Sequence, residues 1–125
     1  MYSGPRKCFA PILFVTAALL LLVASAGAHA VLLESSPSLN ATVSAPDVPI
    51  KLRFNVRIDT NRSRLTLLRP DGSTTSLELA KDSPADTLSA HANALPPGEY
   101  RLRWQVLASD GHITRGEIPF TVARI

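Results

Sequence analysis

The sequence predicts an all-β domain of seven short strands, packed as a β-sandwich or small barrel. Three observations carry that expectation. Apolar and polar residues alternate strictly in residues 50–56, 100–106 and 116–122, the period of a sheet with one buried face. Eight prolines and four glycines punctuate residues 29–125, closing each run after a few positions. No long stretch carries apolar residues at the three- and four-residue spacing of an amphipathic helix. The chain has 125 residues, which fits one domain and leaves no room for a two-domain enzyme.

The first 28 residues stand apart from the rest of the chain. Arg6 and Lys7 make a basic start, residues 9–23 an apolar run interrupted at Pro11 and Thr16, and residues 24–28 a small-residue tail ending Ala26-Gly27-Ala28. This is the three-part pattern of a cleavable secretory signal. The run of 15 residues is shorter than the roughly 20 that span a bilayer, so a retained anchor is the weaker alternative. Cleavage after Ala28 makes residues 29–125 the exported domain, with His29 as its first residue.

Along that domain, a weak strand is expected at 30–33, followed by a turn at Ser36-Pro37. Residues 50–56 form the clearest strand, with Lys51 and Arg53 pointing outward. Weaker strands are expected at 64–68, 74–79 and 87–90, with a turn at Pro70-Asp71-Gly72 between the first two. Pro96-Pro97-Gly98 then leads into the strand at 100–106, which carries Tyr100 and Trp104. In the last strand, 116–122, Ile118, Phe120 and Val122 face inward, which puts Pro119 at an edge or a bulge.

Composition excludes several classes of function. Residues 29–125 hold 11 Lys and Arg against 10 Asp and Glu, too even a balance for a nucleic-acid footprint. The single cysteine and single methionine, Cys8 and Met1, both precede His29, so the exported domain has no thiol, disulfide or thioether. No repeat, heptad or amphipathic helix suggests a helical partner. Glu34, Asp47 and Glu117 are scattered without acid/base spacing, and Ser109 lacks the flanking pattern of a nucleophile. His91 has no ligand-type neighbour and reads as a solvated loop or edge residue.

Two features remain. His29, once exposed as the chain start, offers an α-amine and an imidazole on one residue, a chelating pair. Ser109-Asp110-Gly111-His112 lies between two strong strands. Asp-Gly alone is a hairpin turn signal, but it does not explain His112, and residues two apart in an extended segment project to one side. Asp110 and His112 therefore offer a carboxylate and an imidazole together. Two imidazoles, an amine and a carboxylate, with no sulfur, suit Cu(II) rather than Cu(I).

The combination of His29-Ala30-x-Leu32, Ser35-Ser36-Pro37, Leu52-Arg53-Phe54, Pro97-Gly98-x-Tyr100-x-Leu102-x-Trp104-x-Val106-x-x-Ser109-Asp110-Gly111-His112 and Gly116-x-Ile118-x-Phe120-x-Val122 resembles the CopC family of periplasmic copper-resistance proteins. The likeness spans essentially all of residues 29–125. It implies a seven-stranded Greek-key barrel or sandwich, cupredoxin-like or immunoglobulin-like. It also implies one Cu(II) held in a histidine brace, with the amine and imidazole of His29, the carboxylate of Asp110 and the imidazole of His112. Many relatives carry a Met-rich segment for Cu(I), which this chain lacks. Relatives also often place an acidic residue soon after the Leu-x-Phe strand, where this chain reads Asn55-Val56-Arg57-Ile58-Asp59.

The function expected from this resemblance is that of an exported, soluble, monomeric copper chaperone or buffer in the periplasm. It would not be an enzyme, and it would exchange copper with an inner-membrane transporter of the CopD type. The alternatives are a small histidine-brace copper oxidase and a metal-free immunoglobulin-like interaction domain.

Overall fold

The computed structural model describes residues 29–124; the expected signal segment lies outside them. The domain is a β-sandwich of two separate sheets. Its eight strands are β1 (Leu32–Ser36), β2 (Ala41–Val43), β3 (Val48–Phe54), β4 (Arg64–Leu68), β5 (Thr74–Leu77), β6 (Thr87–Ala92), β7 (Gly98–Leu107) and β8 (Ile113–Val122), with one 3₁₀ turn at Thr60–Arg62. One sheet has the order β1-β3-β6 and the other β2-β8-β7-β4-β5. Because β3 pairs with β6 and β4 with β7, the chain crosses repeatedly between the layers.

The alternating runs bury the faces that their sequence predicts. On β3, Val48, Ile50, Leu52 and Phe54 are buried, and on β7, Tyr100, Leu102, Trp104 and Val106. Phe54 and Trp104 meet edge-to-face across the two sheets with ring centroids 5.2 Å apart, a favoured aromatic geometry. The Tyr100 hydroxyl donates to the Pro96 carbonyl, so this buried phenol keeps its hydrogen bond while its ring stacks on Phe120. A tyrosine tied back a few residues upstream at the start of a strand is a recurring corner of Greek-key sandwiches.

The expected seven strands become eight because β2 has no signal of its own. It is three residues long and pairs in parallel with the end of β8, Ala41 opposite Phe120 and Val43 opposite Val122. β2 also explains how Pro119 is tolerated. The Pro119 carbonyl accepts from the Asn40 amide at 2.7 Å, on the β2 side. A residue's N and O lie on the same side of a strand, so the missing donor of Pro119 faces away from β7.

The first strand starts later than expected and continues through the polar residues Ser35 and Ser36, which pair with Leu52 and Lys51. Cross-strand pairing outweighs their poor strand propensity. β3 begins and ends two residues before the expected strand. Pro49 fits there because β1 pairs only as far as Lys51.

Candidate metal centre

The end of the sandwich that carries the candidate ligands is built by the β7–β8 connection. Leu107 opposite Ile113 is the last pair of the ladder. The Ala108 amide donates to the His112 carbonyl at 2.8 Å, and the Gly111 amide donates to Ala108 at 2.9 Å. Gly111 has φ +94°, and a Cβ there would meet nothing within 4 Å. Glycine is required by the backbone conformation, therefore, and not by lack of room. From the side, the Ser109 amide donates to the Arg57 carbonyl and the Asp59 amide to Leu107. The turn is thus fixed from two directions.

Asp110 and His112 do come together, though not through an extended segment. Asp110 Oδ1 accepts from the His112 backbone amide at 3.1 Å, an Asx turn. Its Oδ2 lies 3.0 Å from His112 Nδ1. The backbone amide of His112, followed by its ring, holds the Asp110 carboxyl below the ordinary carboxylate range. The carboxylate in turn orients the imidazole and leaves Nε2 as its uncommitted nitrogen, the arrangement by which carboxylates set metal-binding histidines.

His29 arrives from the other sheet. Ala30 is buried in the core, and Val31 is fixed by a pair of bonds to Asn55. The Val31 amide donates to Asn55 Oδ1 at 2.7 Å, and the Asn55 amide donates to the Val31 carbonyl at 3.0 Å. β1 then starts with Leu32 opposite Phe54. This anchoring sets the His29 ring 5.2 Å from the His112 ring, centroid to centroid, edge-on. Two imidazoles and a carboxylate, from opposite ends of the domain's sequence, share one exposed corner. Among the described residues, no three His, Cys, Asp or Glu side chains already converge on one metal point. Asp110 faces His112 instead, and binding a metal through its own oxygen would require exchanging the Nδ1 contact.

Asn55 is the functional candidate that ligand-type patterns along the sequence do not single out. Its partner is a backbone amide 24 positions away, which no motif records. His91 lies outward on β6, the edge of the three-stranded sheet, away from any ligand-type partner in sequence. The scattered carboxylates have structural work: Glu34 pairs with Arg53 at 2.7 Å, Asp47 accepts from the Ala94 amide at 2.8 Å, and Glu117 bridges Arg101 and Arg103.

Fold and corner together define a β-sandwich with an exposed nitrogen-and-oxygen donor set at one end. A family model described as the CopC domain matches residues 32–123. The chain is 35% identical over 111 residues to copper resistance protein C of Xanthomonas campestris pv. juglandis, covering 79% of this chain and 84% of the relative. Among solved structures, CopC from Methylosinus trichosporium OB3b superposes with a TM-score of 0.69 at 31% identity, covering 76% of this chain and 94% of that one. PcoC, a methionine-rich copper resistance protein from Escherichia coli, superposes with a TM-score of 0.63 at 29% identity, covering 76% and 99%. The chain belongs to the CopC family.

Proposed function

We propose that this protein is a copper-handling protein of the bacterial envelope. In this reading the chain is exported to the periplasm, cleaved before His29, and holds one Cu(II) through the His29 amine and imidazole, the His112 imidazole and the Asp110 carboxylate. It acts as a chaperone or buffer and exchanges the ion with an inner-membrane copper transporter. The observation that supports it most is the meeting of His29 with the Asp110–His112 pair at one exposed corner.

The donor set fits the ion. Imidazole and carboxylate suit Cu(II), while Cu(I) selects the thiolate and thioether that residues 29–125 lack. Here the chain differs from the methionine-rich PcoC, which supports a Cu(II)-only role. Binding and release of Cu(II) need no covalent step, which favours a carrier over an oxidase.

The test compares two forms of the protein, one beginning at His29 and one retaining Ala28. The first should bind one Cu(II) by intact-mass titration and competition with a chelator. The second, whose amine is tied up as a non-basic amide, should lose most of that affinity. Equal affinity in the two forms would falsify the brace.

A further inference from the structure

The domain is nearly neutral as a whole, yet its charge is unevenly spread. The outward positions of β4, β7 and β8 carry Arg64, Arg101, Arg103 and Arg115 against Glu99 and Glu117, while the rest of residues 29–125 holds seven basic and eight acidic residues. Strand register arranges the arginines in rows. Arg64, Gln105 and Arg115 lie side by side across the three strands, and the next row reads Thr66, Arg103 and Glu117. Between these rows runs an open groove of about 440 Å³, lined by Arg64, Arg103 and Arg115 with Thr66, Gln105, Trp104 and Gly116, and by one carboxylate, Glu117, already paired with Arg103.

The guanidinium groups are only partly engaged. Arg64 makes no ion pair among the described residues. Arg115 uses Nε on Gln105 at 2.8 Å, and Arg103 uses Nε on Glu117 at 2.7 Å; in both, the terminal nitrogens stay available. A guanidinium fork is matched to a carboxylate in geometry as well as charge. Adjacent strands are spaced by about 4.8 Å, so Arg64 and Arg115 stand about 10 Å apart across the groove, with Arg103 diagonal to both. Alternate side chains of an extended peptide repeat every ~7 Å, within reach of these long side chains.

We propose that this face docks an acidic segment of a partner protein, with carboxylates from alternate residues of an extended stretch seated between Arg64, Arg103 and Arg115. A protein segment fits better than the other polyanions. The groove is a local concavity that admits side chains, whereas a flat bilayer surface would lie across its rim, and the small net charge is far from the phosphate-neutralising run that nucleic acid needs. Arg115 lies three positions beyond His112 on β8, so the bound segment would run alongside the hairpin that carries the candidate ligands. The proposal is independent of copper binding.

The experiment uses a fluorescein-labelled eight-residue peptide of alternating Glu and Ser, followed by anisotropy at low salt. The domain should bind it, with affinity falling as salt rises. The double variant Arg64→Gln/Arg115→Gln should weaken binding by about tenfold or more. The charge-matched control Lys51→Gln/Lys81→Gln should stay within about twofold. Amide chemical-shift changes on peptide addition, concentrated on β4, β7 and β8, give a second measure that does not depend on how the variants fold. Absent binding, equal loss in both double variants, shifts located elsewhere, or preferential binding of phosphatidylglycerol vesicles or oligo-dT would overturn it.

Discussion

Replacing Asn55 by alanine isolates the contribution of anchoring His29 from that of ligation. The change removes the oxygen that accepts the Val31 amide at 2.7 Å and leaves the reciprocal bond, Asn55 amide to Val31 carbonyl at 3.0 Å, since that one is backbone. Val31 is 52% exposed, so water can replace the lost acceptor. The loss is therefore the net worth of one hydrogen bond, about 0.5–1.5 kcal/mol, without the larger penalty of a buried orphan donor. For a domain of this size that lowers the melting temperature by about 2–12 °C. If copper binding requires the chain start to be held in place, the same energy limits the loss of Cu(II) affinity to about two- to twelvefold, at 1.4 kcal/mol per decade. Asn55→Asp, which keeps an acceptor at the same reach, should retain most of both. The assay is chelator competition on protein beginning at His29, run beside thermal unfolding of the apo-protein. A hundredfold loss of affinity in Asn55→Ala would show that Asn55 does more than position the chain. An unchanged affinity and melting temperature would show that the clasp positions nothing.

The corner and the core set further expected outcomes. His112→Ala should nearly abolish Cu(II) binding in a competition assay, while the apo-protein's unfolding free energy shifts by no more than about 0.5 kcal/mol. Asp110→Asn keeps an oxygen for the His112 amide but removes the charge, so Cu(II) affinity should fall by about 10- to 100-fold, read in the same titration, with the turn intact by amide chemical shifts. Copper should leave on acidification, because protons compete with the metal for its nitrogen donors; a Cu(II) electron-spin-resonance titration reads this directly. The lowered Asp110 pKa acts in the same direction: the stabilisation that it links to is present above the ordinary carboxylate range and lost as pH falls through the folded value, so apo-protein melting should decline only as pH drops below that range. Gly116→Ala would place a Cβ 2.4 Å from the Trp104 ring, and such overpacking should destabilise the domain by about 1–3 kcal/mol in denaturant unfolding.

Most of the sandwich is legible in period-two alternation because β3, β7 and β8 each bury one face and expose the other. β2 is not, since its three residues are ordered by β8 rather than by any pattern of their own. The extent of β1 is obscured for a related reason: Glu34, Ser35 and Ser36 look like a loop, but the register with Arg53, Leu52 and Lys51 extends the strand through them. At the candidate centre, the residue types are legible and their meeting is not. Asp110 and His112 are neighbours in sequence, and their spacing alone puts them on one side of an extended run. They meet through an Asx turn around a left-handed Gly111 instead. The approach of His29 depends on Asn55, a side chain whose function is a single bond to distant backbone, and on the burial of Ala30. Neither leaves a mark in composition, periodicity or spacing.

The separation between what folds the domain and what the corner offers has a physical basis. Phe54, Leu65, Leu67, Leu102 and Val106 are at most 1% exposed, and a β-sandwich of this size gains its stability from such burial. The His112 and Asp110 side chains remain 53% and 37% exposed, so they contribute little to that core and are cheap to reposition around an ion. Exposure has a second consequence. A metal held by exposed side chains at a hairpin tip can be reached by incoming ligands of another protein, so that each donor is replaced in turn without the sandwich opening. A deeply enclosed site would need local unfolding before release, at a rate set by the stability of the core. Under the proposed function, a rigid frame with its donors on the rim is thus suited to passing an ion on.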